Sequence, residues 1–219
     1  MKKELEKRIT TSIFLFVLVF FSIFISWSIY IISILTICCI SFLEIVNLAS
    51  LEKKNTFSSN WTVIKIISFF YIFFVFFLTS TSLYELGPVY VFYILLICIF
   101  SDVGGYVIGK TIGGKKLTKI SPNKTISGSL GSFCFSIVPL LFFYNFDQFQ
   151  YSYSFNNFLF CLELSLVCQF GDILISYIKR KAKAKDTGKF LPGHGGLLDR
   201  IDGLIFAIPY AWICINILS

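Results

Sequence analysis

Charged residues are scarce in this chain of 219 residues: they make up 14% of it, against about 25% in ordinary soluble domains. Hydrophobic residues make up 56%, and the mean hydropathy is +0.81. A single soluble core is excluded, because so much apolar surface has to face lipid or neighbouring helices. Helices satisfy their own backbone hydrogen bonds in a bilayer. The sequence therefore predicts an all-α, polytopic helical membrane protein.

Histidine, the usual partner of zinc and of catalytic nucleophiles, is also scarce. The only histidine is His194, and the seven cysteines form no C-x-x-C pair. All seven lie in apolar runs, so we interpret them as small buried hydrophobic residues and not as disulfides or zinc ligands. No Ser/His/Asp or Cys/His grouping is present. Covalent catalysis by an activated serine or cysteine is therefore not indicated.

Long apolar runs predict the membrane spans. The run Ile9–Leu51 is about twice the length that crosses a bilayer of about 30 Å, so it is expected to form two spans with a turn near Ser26 to Ser28. Further spans are predicted at Trp61–Ser82, Pro88–Gly109, Ile126–Phe146, Phe155–Tyr177 and Ile201–Leu218. The sequence thus predicts about seven transmembrane helices.

The basic residues are confined to alternate sides of these spans. All 19 Lys and Arg residues fall before the first span or in the segments 53–65, 110–124 and 179–200. The turns near Trp27, Glu85 and Asp147 hold none. By the positive-inside rule, the N-terminus and the basic loops are expected in the cytoplasm, and the C-terminus outside.

We expect one integral membrane domain over residues 1–219. Within it, residues 1–100 are predicted as N-terminal transmembrane helices, and residues 101–219 as a catalytic transmembrane region. That region carries two cytoplasmic loops, named below the first basic loop (110–125) and the second basic loop (178–200). No internal repeat or interdomain linker is visible.

The first basic loop is preceded by an acid at a membrane boundary. Asp102 stands near the end of an apolar span, where a carboxylate is costly unless it is paired, hydrated or bound to metal. It is a candidate functional residue, and the alternative is an interfacial acid bonded to a neighbouring helix. Lys124 suits phosphate neutralisation, yet basic cytoplasmic loops are common in membrane proteins. This loop alone is a moderate signal.

The second basic loop carries a stronger pattern. If the span before it continues as a helix, Asp172, Ser176 and Lys179 share one face. Asp199 and Asp202 are likewise expected to share a helical face. Carboxylates that hold Mg²⁺, next to lysines and arginines that offset negative charge, suit phosphate chemistry.

Simpler interpretations exist for parts of this loop. The lysine-rich run from Lys179 to Lys185 is also typical of a segment that binds anionic lipid headgroups. That interpretation does not explain the glycines around His194 or the acids that follow. His194 is either structural or a phosphate contact. Glu44 and Glu163, which lie within spans, are interpreted as interhelical hydrogen-bonding groups.

The run from Ser176 to Asp202 resembles the signature of the phosphatidate cytidylyltransferases, also called CDP-diglyceride synthases. The matching positions are Ser176, Lys179, Arg180, Lys185, Asp186, Gly188, Pro192, His194, Gly195, Gly196, Asp199, Arg200, Ile201 and Asp202. A second stretch is similar to another part of the family pattern, with Asp102, Tyr106, Gly109, Ser121, Lys124 and Thr125. The chain departs from that pattern at Ile175 and Ser127, where members often carry acids.

The resemblance implies an enzyme of the cell inner (plasma) membrane that transfers CMP from CTP to phosphatidate, releasing pyrophosphate. It implies Mg²⁺, with K⁺ as a candidate second ion, on Asp172, Asp199 and Asp202. Lys179 and Arg200 would join these as catalytic residues. Substrate contacts would come from Asp102, Ser121, Lys124, Ser176, Arg180, Lys185, Asp186, His194, Gly195 and Gly196. The partners are then CTP, phosphatidate and membrane lipid, not nucleic acid, and a homodimer is left open.

Two other functions remain open at this point. A CTP-dependent polyprenol or dolichol kinase would transfer the γ-phosphoryl group and release CDP. A transporter or a lipid-binding membrane protein would use the basic loops for topology alone. Product analysis distinguishes the two enzymes, because one releases pyrophosphate and the other CDP. Substitution of Asp172 or Asp199 by Asn should abolish the activity of an enzyme and leave that of a transporter or lipid-binding protein intact.

Overall fold

A computed structural model describes residues 2–52, 59–118, 120–122, 124–143, 155–188, 190–191 and 195–218. These residues form helices joined by short loops, and the extended pairings among them are two isolated bridges, at Lys116 with Thr125 and at Leu191 with Gly195. The predicted all-α class is confirmed.

The first apolar run forms two helices, α1 (Lys2–Ile25) and α2 (Trp27–Glu52). Ser26 separates them: its side-chain Oγ accepts a hydrogen bond from the N–H of Ile29 at 3.3 Å, and its carbonyl accepts one from Tyr30 at 3.0 Å. A serine in this position satisfies the unpaired N–H groups of the helix that follows. The break therefore lies at the predicted turn.

The third predicted span is one long helical segment with a local change of winding. It comprises α3 (Ser59–Phe70), a π-helical stretch (Tyr71–Phe76) and α4 (Phe77–Leu86). Helix α5 (Pro88–Ile112) follows. Proline suits the first position of a helix, because an N–H there would have no intrahelical acceptor and its absence costs no hydrogen bond.

The remaining helices are α6 (Ile126–Ser136), α7 (Val138–Phe143), α8 (Phe155–Lys181), α9 (Leu198–Ile201) and α10 (Leu204–Leu218). Thr125 caps α6 by accepting a hydrogen bond from the N–H of Gly128 at 3.1 Å. Helix α8 continues past Tyr177, and its last turn carries Lys179, Arg180 and Lys181. Cations are favourable there because the helix dipole is negative at this end.

The predicted count of seven spans is not confirmed. Five helical segments of the described chain are long and apolar enough to cross a membrane: Trp27–Leu51, Trp61–Leu86, Pro88–Ile112, Ile126–Phe143 and Asn156–Lys181. Helix α1 contributes only a shorter apolar stretch, and α10 has 15 residues. Residues 144–146, at the end of the predicted Ile126–Phe146 span, lie outside the described residues. The chain is a multi-pass membrane protein.

The chain divides into two compact units. The first comprises Met1–Pro88 with Ile178–Ile201, and the second comprises Val89–Tyr177 with Asp202–Ser219. The second basic loop therefore belongs with the N-terminal helices, and the first basic loop belongs with α5, α6 and most of α8.

Buried aromatic and polar contacts hold the first unit. Tyr30 is 1% exposed; its ring stacks on that of Tyr84 at 4.3 Å, and its hydroxyl lies 2.5 Å from the Oγ of Ser80. Near the second basic loop, Trp61 packs in a cluster with Leu48, Ala49 and Ala182. The ammonium of Lys181 lies 5.6 Å from the centre of the Trp61 ring. These contacts fix the end of α8 against α2 and α3.

Small residues allow α5 and α6 to approach closely in the second unit. A Cβ atom added at Gly131 would lie 2.5 Å from the Cβ of Ile108 and 2.7 Å from the carbonyl oxygen of Gly104. Helix pairs in membranes commonly use such small residues to bring their backbones together. This crossing positions Asp102 on α5 and Lys124 just before α6.

A methyl group at the α5–α6 crossing should destabilise the protein. We expect Gly131→Ala to lower the free energy of unfolding by about 1–3 kcal/mol, because overpacking forces backbone shifts. The matched control is Leu130→Ala, since Leu130 is 61% exposed on the neighbouring position of the same helix. Thermal unfolding in detergent would measure both, and equal melting temperatures for Gly131→Ala and the unaltered protein would contradict the packing.

Candidate functional site

Asp199 is the most completely bonded acid of the second basic loop. Its Oδ1 accepts a hydrogen bond from the ammonium of Lys179 at 2.6 Å, and its Oδ2 accepts from the N–H groups of Thr187 at 2.8 Å and Gly196 at 3.1 Å. The side chain is 8% exposed. The predicted residues Lys179, Gly196 and Asp199 are therefore brought together within the first unit.

These contacts determine the ionisation of Asp199. Burial alone would raise its pKa, but the hydrogen bond and charge of Lys179, together with the N–H groups of Thr187 and Gly196, hold the pKa below its ordinary value. Asp199 is consequently a carboxylate at neutral pH. Its charge is balanced by Lys179.

Glu44 is a second buried acid bonded to the same loop. It comes from α2, is 4% exposed, and its Oε1 accepts a hydrogen bond from the N–H of Leu197 at 2.8 Å. Its Oε2 accepts from the N–H of Leu198 at 2.9 Å and from the hydroxyl of Thr187 at 2.7 Å. Glu44 is thus an interhelical group, because it bonds Leu198 at the start of α9, but Leu197 and Thr187 of the loop were not predicted as its partners. Thr187 was not predicted as a site residue.

The glycines of this loop make room for the two carboxylates. A Cβ atom at Gly188 would lie 2.7 Å from Glu44 Oε1, and one at Gly196 would lie 2.5 Å from Glu44 Oε2 and collide with Thr187 Oγ1. Gly195 has a φ of 84°, a conformation that favours glycine. Gly195 and Gly196 were predicted as phosphate contacts, and the fold already requires glycine at both positions. Their contact with phosphate stays a prediction.

Asp172 forms an analogous pair in the second unit. Its Oδ2 makes an ion pair with Lys124, and the hydroxyl of Ser176 lies 3.5 Å from its Oδ1. The side chains of Asp172 and Lys124 are each 26% exposed. Helix α8 is continuous through these positions, so the predicted helical register of Asp172, Ser176 and Lys179 is confirmed.

The Lys124 end of this pair depends on the conformation of the first basic loop. The N–H of Ser121 donates to the hydroxyl of Thr118 at 3.1 Å, and the carbonyl of Ser121 accepts from the N–H of Lys124 at 3.1 Å. Ser129 on α6 also reaches Gln169 on α8, with 2.5 Å between the side-chain oxygens. The predicted Ser121 is thus a loop-shaping residue that precedes Lys124.

Asp202 does not follow the predicted geometry. Helix α9 ends at Ile201, so the expectation that Asp199 and Asp202 share a helical face is wrong. The turn that interrupts the helix lets Asp202 Oδ1 accept a hydrogen bond from the N–H of Gly203 at 3.0 Å. Asp202 is buried, at 9% exposure.

The other predicted residues lie on the surface or outside the described chain. Those exposed to solvent or lipid are Asp102, Arg180, Lys185, Asp186 and Arg200. Arg180 donates to the carbonyl of Ala184 at 3.3 Å and so closes the end of α8. His194, with Pro192, lies outside the described residues.

One string in α5 has the spacing of a nucleotide-binding phosphate loop. It consists of Gly104, Gly109, Lys110 and Thr111, and such a loop binds phosphate through unpaired N–H groups between a strand and a helix. Here α5 continues to Ile112, and the hydroxyl of Thr111 donates to the carbonyl of Val107 at 2.9 Å. This string is helix and not a phosphate loop.

The departures from the family pattern are occupied by structural residues. Ile175 is 5% exposed, and Ser127 donates a hydrogen bond to the carbonyl of Gly113. Ser127 also lies within hydrogen-bonding distance of the Thr125 hydroxyl, at 3.1 Å. These residues stabilise the helices that carry the candidate site and supply no carboxylate.

The donor atoms of Asp172 and Asp199 suit Mg²⁺. No group of three or more His, Cys, Asp or Glu side chains in the described part of the chain is arranged to hold a metal ion. Mg²⁺ usually takes only one or two protein carboxylates, with waters and substrate phosphates completing its shell. The two acids fit that donor chemistry, and each forms an ion pair with a lysine.

Apolar helices with carboxylate–lysine pairs define a polytopic membrane protein whose polar residues suit phosphate chemistry. Comparison with known proteins is consistent with this class. The chain matches the model of the Cytidylyltransferase family over residues 6–218, and it belongs to that family. The resemblance found in the sequence is confirmed.

Curated relatives are named phosphatidate cytidylyltransferase. The chain is 35% identical to the one from Bacillus subtilis (strain 168) over 169 residues, which are 76% of this chain and 62% of the relative. It is 44% identical to the one from Staphylococcus aureus (strain COL) over 128 residues, 56% of this chain and 47% of the relative. It is 39% identical to the one from Helicobacter pylori (strain ATCC 700392 / 26695) over 122 residues, which are 56% of this chain and 45% of the relative. The matches span less than two thirds of each relative.

The ionised state of Asp199 should contribute to stability in a pH-dependent way. Because its folded pKa is lowered, the contribution is present above the ordinary pKa of about 3.9 and is lost as the pH falls through the lower folded value. We expect Asp199→Asn to melt at a lower temperature than the unaltered protein at neutral pH. The difference should shrink below about pH 4, as measured by thermal unfolding in detergent.

Asp186→Asn is the matched control, since Asp186 is an exposed acid of the same loop. It should show no comparable pH-dependent loss. A difference for Asp199→Asn that persists unchanged into the acid range would contradict the lowered pKa.

Proposed function

We propose that this chain is a phosphatidate cytidylyltransferase, which transfers CMP from CTP to phosphatidate and yields CDP-diacylglycerol and pyrophosphate. The observation that carries the proposal is the pairing of an acid with a lysine on each part of the family pattern, Lys179 with Asp199 and Lys124 with Asp172. The name shared by the curated relatives supports the same reaction. Such pairs keep acids and cations ready for an anionic substrate.

We propose Asp172 and Asp199 as ligands of Mg²⁺, with Asp202 as a third candidate ligand and K⁺ as a candidate second ion. When bound, the metal would offset the charge of the triphosphate and stabilise the departing pyrophosphate. Lys179 and Lys124 balance the acids without substrate, and either ammonium can pair with a phosphate oxygen instead. Lys179 thus helps to lower the pKa of Asp199, and Lys124 orients Asp172.

The remaining basic residues would bring two anionic substrates together. Arg180, Lys185 and Arg200 are exposed and can neutralise phosphate charge. Ser176, Ser121, Asp102 and Asp186 are proposed substrate contacts, as are Gly195, Gly196 and His194. Repulsion between CTP and phosphatidate would otherwise slow their encounter, so this excess of positive charge favours binding.

Phosphatidate needs little activation as a nucleophile. Its phosphate oxygen is already anionic, so it can attack the α-phosphorus of CTP in line without a general base. A bond forms between that oxygen and the α-phosphorus, and the bond to the β-phosphate oxygen breaks, so pyrophosphate leaves with the electron pair. A chain with one histidine is compatible with this chemistry.

We propose that the enzyme lies in the bacterial inner (plasma) membrane, with its N-terminus and both basic loops in the cytoplasm. The confinement of Lys and Arg to alternate sides supports this orientation. CTP would then meet the loops directly, while phosphatidate arrives from the lipid phase.

Incorporation of label into lipid tests the reaction. The full chain, purified in detergent, is incubated with α-labelled CTP, Mg²⁺ and phosphatidate. We expect label in the lipid phase and release of unlabelled pyrophosphate. In a parallel reaction with polyprenol in place of phosphatidate, labelled CDP and a phosphorylated polyprenol would show a kinase instead. No transfer to phosphatidate under several ionic conditions would overturn the proposal.

Two substitutions test the acids. We expect Asp172→Asn and Asp199→Asn each to lower CMP transfer by about 100-fold or more, at unchanged expression, because each removes a negative charge proposed to hold the metal. Initial rates at saturating CTP would measure the loss. The matched control is Glu163→Gln, whose acid bonds Tyr210 at 2.9 Å within the second unit. Full activity in either aspartate variant would contradict its assigned role.

A further inference from the structure

Glu44 has contacts that a simple core residue of a membrane helix would not need. It accepts three hydrogen bonds, from the N–H groups of Leu197 and Leu198 and from the hydroxyl of Thr187. We propose that Glu44 is a positioning residue of the proposed transferase: it holds Thr187, in the middle of the second basic loop, and the residues just before Asp199, so that Asp199 is fixed in its active orientation. This inference rests on the proposed function and concerns an acid that the family pattern does not include.

The cost of burying Glu44 shows how specific its surroundings are. A carboxylate in an apolar environment is strongly destabilising unless each oxygen is paired. Here the donors are Thr187, Leu197 and Leu198. They lie 143, 153 and 154 residues after Glu44 in the chain. The loop can satisfy Glu44 only in a conformation that brings Thr187 and the start of α9 to the same carboxylate.

Thr187 connects this carboxylate to Asp199. Its hydroxyl lies 2.7 Å from Glu44 Oε2 and 3.1 Å from Asp199 Oδ2, and its N–H donates to Asp199 at 2.8 Å. A hydroxyl has one proton to donate, and the shorter distance assigns it to Glu44. Glu44 therefore holds the Thr187 side chain, and this orients the Thr187 N–H toward Asp199.

The start of α9 provides a second connection. Glu44 accepts from Leu198, the residue before Asp199, and from Leu197, the residue after Gly196. Gly196 in turn donates to Asp199 at 3.1 Å. Two of the backbone segments that position Asp199 are thus tied to Glu44.

Steric evidence points the same way independently of the hydrogen bonds. Side chains at Gly188 and Gly196 would come within 2.7 Å and 2.5 Å of the Glu44 carboxylate. Gly188 and Gly196 therefore both lie against the Glu44 carboxylate, and neither position has room for a side chain.

The charge and shape of the side chain are both required. In Glu44→Gln an amide NH₂ replaces one oxygen, so a donor faces the N–H of Leu197 or the donors at Thr187 and Leu198. The volume is kept while one acceptor is lost. The loop is then expected to loosen without removal of the proposed substrate contacts.

Kinetics on the full chain in detergent test the proposal. We expect Glu44→Gln to lower kcat for CMP transfer by about 10- to 100-fold, the usual loss when a group that supports a metal ligand is removed, with KM for CTP and phosphatidate nearly unchanged. Thr187→Val should behave similarly, and Thr187→Ser, which keeps the hydroxyl, should restore kcat. Glu163→Gln is the matched control, because Glu163 is a helix glutamate that bonds Tyr210 and none of the proposed site residues, and it should retain activity.

Amide hydrogen exchange supplies a readout that does not depend on catalysis. We expect Glu44→Gln to speed exchange at Thr187 and Gly196, whose N–H groups bond Asp199 and not Glu44. If Glu44→Gln fails to fold, the Thr187→Val and Thr187→Ser pair carries the same test.

The proposal is overturned if exchange changes only at Leu197 and Leu198, or if kcat stays within about twofold of the unaltered protein. If the unaltered protein transfers no CMP, the proposed function fails by itself. Exchange at Thr187 and Gly196 then decides whether Glu44 positions Asp199.

Discussion

The first compact unit depends on the need to satisfy buried carboxylates with hydrogen-bond donors. Glu44 and Asp199 are both poorly exposed, and between them they engage four backbone N–H groups, one hydroxyl and one ammonium. Each unmet bond would cost about 1–3 kcal/mol, and more for a charged group. The loop conformation, its glycines and the position of α9 all follow from this requirement.

The two lysines that pair with Asp199 and Asp172 differ from the backbone donors, because their contacts can be exchanged. A lysine ammonium is a compact charge on a flexible stem, so it can exchange one anionic partner for another. Lys179 on Asp199 and Lys124 on Asp172 suit the proposed function, in which each ammonium exchanges its carboxylate for a phosphate oxygen. An apolar pair of the same size would stabilise the fold and could not make that exchange.

Much of the fold was predictable because helices in a membrane follow local sequence. The break at Ser26, the start of α5 at Pro88 and the continuity of α8 through Asp172 were all visible as local patterns. The count of seven spans stays unconfirmed. The turn after α9 shortens the last apolar helix to Leu204–Leu218, and a hydropathy pattern does not record where such a turn falls. The loop partners of Glu44 were not predictable either. A lone acid in an apolar run carries no signal of a partner more than a hundred residues away.

By itself, the sequence determined the helical class, the family and the candidate acids, because hydropathy and the spacing of polar residues are local properties of the chain. Only the tertiary structure decided which donors meet which acids. It paired Lys179 with Asp199 and Lys124 with Asp172, ended α9 before Asp202, and brought Glu44 to a loop that lies far along the chain. The reason is that hydrogen bonds and ion pairs depend on distances in space, and a sequence pattern records only positions along the chain.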